Sequence, residues 1–133
     1  MAETYVYDPQ NGVIQINGRI MQDYGDGDFV SWSKDEENFT AATSANGTVG
    51  VAVSHSQIGT VTYRPMQGSP EIKFLNDLAN RRAEFSIYIN SGGDNPETIT
   101  GTKAQIKKTP DGSLGKEIAD REYEIAVFDY RHE

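Results

Sequence analysis

Residues 48–54, Thr48-Val49-Gly50-Val51-Ala52-Val53-Ser54, alternate without a break. A strand turns successive side chains to opposite faces, so Val49, Val51 and Val53 share one face and Gly50, Ala52 and Ser54 the other. The Asn46-Gly47 pair in front of the segment is a strong turn signal. Residues 58–64 read as a second strand, and the His55-Ser56-Gln57 connection is short enough to make the two a hairpin. We expect the three valines to face the core of the domain. The opposite face has almost no bulk, which suits close cover by another backbone or the lining of an open space.

The rest of the chain repeats the pattern of short alternating segments between turn signals, as antiparallel β proteins do. Val13-Ile14-Gln15-Ile16-Asn17 forms a strand after the Asn11-Gly12 turn, and Phe29-Val30-Ser31-Trp32-Ser33 another, with Val30 and Trp32 on one face. Between them, Tyr24-Gly25-Asp26-Gly27-Asp28 reads as a loop. Phe85, Ile87 and Ile89 alternate, residues 91–96 are a loop, residues 98–108 are polar and strand-like, and Pro110-Asp111-Gly112 turns the chain. In the last strand Tyr123, Ile125 and Val127 share one face, and Glu122, Glu124 and Ala126 the other. One helix is signalled, at about residues 69–82. Ser69 is a good N-cap, Pro70 fits the first helical position and Glu71 suits the positive end of the dipole. Ile72, Leu75, Leu78 and Ala79 form one apolar stripe, and Arg81 and Arg82 occupy the last turn. The expected fold is mainly β, an antiparallel sandwich or barrel-like domain spanning residues 1–133 with one α-helix.

Bulk properties narrow the function. At 133 residues the chain is long enough to bury a core without staples, and with no cysteine it has neither disulfides nor thiolate metal sites. The start of the chain lacks a basic region followed by an apolar stretch, so no secretory signal is expected and a soluble, cytoplasmically made protein is. No apolar run approaches the ~20 residues of a membrane span, so no membrane partner is expected. The net charge is -8, and residues 1–60 hold eight acidic residues against two basic ones. Such a surface does not grip nucleic acid by counterion release.

Candidate chemical sites are weak. Asp23, Asp26 and Asp28 sit in a glycine-rich loop, but their spacing does not match a calcium loop and no glutamate follows at the right distance. His55 and His132 are the only histidines, and neither belongs to a metal or triad motif. Glu122 and Glu124 project together, as a glycosidase pair would, or as the solvated face of a strand does. Trp32 offers a stacking platform for sugars, yet its alternation with Val30 makes it a core residue. We expect no catalytic residues, no metal, no cofactor and no enzymatic activity.

The segment Gly27-Asp28-Phe29-Val30-Ser31-Trp32-Ser33-Lys34-Asp35-Glu36-Glu37-Asn38-Phe39-Thr40 resembles the tube-forming tail proteins of contractile-tailed bacteriophages. The likeness continues through Ala45-Asn46-Gly47-Thr48, Gly59-Thr60-Val61-Thr62, Met66-Gln67-Gly68-Ser69-Pro70 and Leu75-Asn76-Asp77-Leu78, and is weaker at Lys116-Glu117 and Arg121-Glu122-Tyr123. The acidic residues that family members often carry around the turn glycine are missing beside Gly47. The resemblance implies a tail tube fold, hexameric rings stacked into a tube within a sheath, and a channel through which DNA passes only as cargo. It implies a virion protein, held in the host cytoplasm before assembly, with copies of itself, the tail sheath protein and baseplate and tail terminator proteins as partners.

On that basis Ala52, Ser54, Thr60, Thr62, Glu122 and Glu124 are candidate channel-lining residues. The 35–46 segment, polar and long for a hairpin connection, would reach an adjacent ring through Asp35, Glu36, Glu37, Asn38 and Asn46. Alternatives are the tube subunit of a headless contractile injection particle, a baseplate or terminator ring protein, and a monomeric β-domain that binds carbohydrate or calcium.

Overall fold

The structure is a computed structural model that describes residues 4, 8, 11–22 and 28–133. Within them the fold is mainly β, with antiparallel sheets and a single helix. The strands are β1 (Val13–Ile16), β2 (Arg19–Ile20), β3 (Val30–Lys34), β4 (Phe39–Thr43), β5 (Val49–Val53) and β6 (Gly59–Tyr63). Helix α1 (Pro70–Arg81) follows, and then β7 (Phe85–Asn90), β8 (Thr98–Ile106), β9 (Tyr123–Val127) and β10 (Arg131–His132). The main sheet runs β2-β1-β7-β8-β9-β6-β3, with β10 paired to β8, while β4 and β5 make a separate two-stranded sheet.

The main sheet is built as its alternation requires. Ile14 and Ile16 stand opposite Ile89 and Ile87, and Val61 and Tyr63 stand opposite Ile125 and Tyr123. These side chains are buried on one face together with Ile99, Ile106 and Val127. Leu75 and Leu78 of α1 join the same cluster, with Phe29, Val30 and Trp32 packed against it. The sheet curls, so that β3 at one edge faces β1 and β7 across a cleft.

The helix begins and ends where its signals lie. Ser69 Oγ accepts a hydrogen bond from the Glu71 amide at 3.1 Å, and Arg82, in left-handed conformation, closes the C-terminus. Its buried stripe is Glu71, Leu75 and Leu78. Glu71 is thus an inward residue as well as a dipole partner, and Arg19 of β2 reaches it at 3.4 Å. Asn17 and Gly18, both at positive φ, make the tight turn from β1 to β2, which two-residue hairpins of this twist require.

The C-terminal segment wraps β8. Residues 98–106 pair with β7, β9 and β10 in turn, and the register to β7 shifts between Phe85 and Ile87. Asp129 accepts hydrogen bonds there from the amides of Thr102 (3.0 Å) and Lys103 (3.1 Å). Burial pushes the Asp129 carboxyl up, and the hydrogen bonds from Thr102 and Lys103 more than offset it, leaving its pKa below the ordinary value. Tyr130 packs over Gly59 so closely that a Cβ at that position would lie 2.3 Å from the ring.

Three linked expectations fail. β5 pairs with β4, from Phe39↔Val53 to Thr43↔Val49, and not with β6. Strand β6 lies between β3 and β9. The Asn46-Gly47 turn, with Gly47 at φ 89°, closes β4 on β5: the Ser44 amide donates to the Thr48 carbonyl at 2.8 Å. Residues 35–46 are therefore not one long connection but a bend, a strand and the start of a turn. Val49, Val51 and Val53 do not face the core; they are exposed at 59%, 60% and 66%. Alternation reports that a strand has an apolar face and is silent on what covers it.

Candidate functional site

The β4–β5 hairpin is an arm inserted into the β3–β6 hairpin. Strands β3 and β6 pair from Val30↔Tyr63 to Lys34↔Gly59. The ladder continues outward through the Asp35 amide to the Ile58 carbonyl (3.0 Å) and the Ser54 amide to the Asn38 carbonyl (2.8 Å). At the root, Asp35 accepts from the Thr60 hydroxyl and Glu36 from the Ser54 hydroxyl, each at 2.9 Å; Lys34 donates to Asn38. From Asn38 to Ser54 there is no Asp, Glu, Lys or Arg, in a chain that is 24% charged. Every residue of β4 and β5 is exposed. One face carries Phe39, Ala41, Val49, Val51 and Val53, the other Thr40, Ala42, Gly50 and Ala52. A lone two-stranded ribbon is marginal in water at best, and this one keeps its apolar face wet.

The second region is the outward face of the main sheet around β6 and β9. Thr60 lies opposite Ala126 and Thr62 opposite Glu124. Glu122 meets Arg64 at 3.6 Å and Glu124 meets Lys107 at 3.9 Å; Lys107 also reaches the Thr60 hydroxyl at 3.5 Å. Four of the six candidate channel-lining residues, Thr60, Thr62, Glu122 and Glu124, therefore share one surface. Ala52 lies out on the arm and Ser54 at its root, apart from that surface. Asp35, Glu36, Glu37 and Asn38 cluster at the root, and Asn46 lies at the tip. Each acid of the Glu122/Glu124 pair has a cation beside it.

The third region is the cleft, of about 400 Å³, which the sequence reading missed. Its walls are Val13, Ile14 and Ile89 on one side and Phe29, Val30 and Trp32 on the other, with Asp28 and Glu97 at the rim. Trp32 is half-buried rather than sealed in the core. Its ring meets the His132 edge at 6.1 Å and 78°, and His132 pairs with Glu97. The alternation of Val30 and Trp32 was legible; that they line an open gap depends on the curl of the sheet. Residues 108–120 form a further projection with Leu114 89% exposed and Ile118 69% exposed, held at its base by the Met66–Asp120 bridge.

Among the described residues no group of three or more His, Cys, Asp or Glu could hold a metal, and Asp23 and Asp26 lie outside them. Among those residues, too, no helix is long and apolar enough to cross a membrane.

Neither family models nor curated proteins match the chain by sequence. A solved structure does. The cap of the anti-feeding prophage, which terminates its tube, superposes with a TM-score of 0.65 at 12% identity. The match covers 100% of this chain and 94% of the cap chain. The two share a fold.

Proposed function

We propose that this chain is a non-enzymatic structural subunit of a tail-like contractile injection particle, and that it forms the ring terminating the tube. The observation that carries this reading is the arm. An uncharged, exposed, two-stranded projection has no stable place in a lone monomer and is explained when copies of the chain cover it. The full-length likeness to a tube-terminating cap supports the same reading, and favours the terminating ring over the tube subunit. Six copies around a channel remain the natural closure for such a ring, with Thr60, Thr62, Glu122 and Glu124 toward the lumen and the arm root toward the next ring. The partners are then other copies of this chain and the end of a tube, with sheath and baseplate acting further along the particle.

Light scattering coupled to size exclusion, followed by negative-stain electron microscopy, tests the proposal. Single rings with a central hole, which do not stack alone but cap the ends of added tubes, are expected. Stacked rings would return the tube-subunit reading. A monomer that persists at high concentration and beside tubes, and whose melting point rises with a sugar or calcium, would establish the ligand-binding domain instead.

A further inference from the structure

We propose that the valine face of the arm of one copy seats in the Trp32 cleft of the next copy, so that the ring is held by a head-to-tail arm-in-cleft contact. This rests on the assembly reading above and names the surface that serves it. Phe39, Val51 and Val53 project on one face of the arm, 55%, 60% and 66% exposed. The cleft offers apolar walls at Val30, Trp32, Ile14 and Ile89. Both halves are on every copy, and neither satisfies the other within one chain. The hydrogen-bonded ladder that joins β3 to the arm carries the arm outward from Lys34, away from the cleft that Val30 and Trp32 line.

The chemistry of the fit is selective. Asp28 and Glu97 at the rim disfavour an acidic insert, and burying any charge against apolar walls is costly. The arm from Asn38 to Ser54 is uncharged throughout. Among the described residues the arm's outer edges and the outer edge of β3, which pairs there only with β6, also leave backbone groups for added strand pairing. Contacts of this kind are heterologous: each copy gives an arm and receives one, and the series closes into a ring if the rotation permits.

The chain has no cysteine, so every disulfide in a variant reports an introduced pair. Val51→Cys protein mixed with Val30→Cys protein under mild oxidation should give a 51–30 cross-linked species in the assembled fraction. A Leu114→Cys protein, with its thiol on the separate 108–120 projection, should not cross-link to Val51→Cys. Trp32 is the only tryptophan, so its emission should shift to the blue as wild-type protein is concentrated, and not in Val51→Asp protein with unchanged circular dichroism. Assembly without a 51–30 cross-link, or with 51–51 disulfides in its place, would overturn the arm-in-cleft contact and leave the ring reading standing. Absence of both assembly and cross-link would remove the two together.

Discussion

Strands β5 and β9 carry the same kind of alternation and meet opposite fates. Val49, Val51 and Val53 of β5 are more than half exposed, while Tyr123, Ile125 and Val127 of β9 are fully buried. The difference is in their neighbours. β9 has β6 on one side and β8 on the other, and its inward face lies against helix α1: the Tyr123 hydroxyl donates to Asn76 at 2.8 Å. Among the described residues β5 pairs only with β4, and its valines stay exposed. One strand stabilises the fold. The other leaves its apolar face exposed.

The largest effects should separate the two strands outright. Ile125→Asp places an unpaired charge in the sealed core and is expected to cost several kcal/mol, enough to unfold the domain. Chemical denaturation read by circular dichroism checks this, and a folded Ile125→Asp protein would break the contrast.

Tyr123 gives a pH signature that β5 cannot share. Burial pushes its hydroxyl up to about 12, with Arg121 pulling the other way. The folded state thus holds the proton more tightly than the unfolded state, whose tyrosine titrates near ~10. Its contribution is fully present below pH ~10 and is lost as the pH rises toward 12. Tyr123→Phe should flatten the alkaline fall in melting temperature, and an unchanged fall would assign it to other groups.

Asp129 sharpens the picture at the C-terminal turn. Its lowered carboxyl stabilises the fold above the ordinary aspartate range, and that stability is lost as the pH falls through the folded value. Asp129→Asn, which leaves the bulged Thr102 and Lys103 amides with a weaker acceptor, should cost about 1–2 kcal/mol at neutral pH and reduce the sensitivity to acid.

The smallest expected change in monomer stability comes from the arm. Val51→Asp should shift unfolding of the isolated monomer by no more than about 0.5 kcal/mol, while abolishing ring formation in light scattering. A large loss of monomer stability would show that the valines are covered within the chain after all.

Much of the fold was legible. The helix was readable from Ser69-Pro70-Glu71 and the Leu75/Leu78 spacing because capping and periodicity act within a few residues. The faces of β1, β7 and β9 were readable because alternation and burial coincide wherever a sheet covers one side only. Of the candidate channel-lining residues, Thr60, Thr62 and Glu124 lie on one surface, since strand parity places them there once β6 pairs with β9. The Trp32 cleft was not legible, because it lies between β3 and β1, whose approach depends on the curl of the whole sheet.

By itself the sequence determined which segments are extended, where the helix starts and stops, and that β5 has an apolar side. It even contained the turn, Asn46-Gly47, that closes β4 on β5. Only the tertiary structure decided that the valines of β5 stay in solvent and that β6 lies between β3 and β9. What covers a strand's face comes from elements remote in the chain, as α1 does for Tyr123 of β9, and no local pattern carries that.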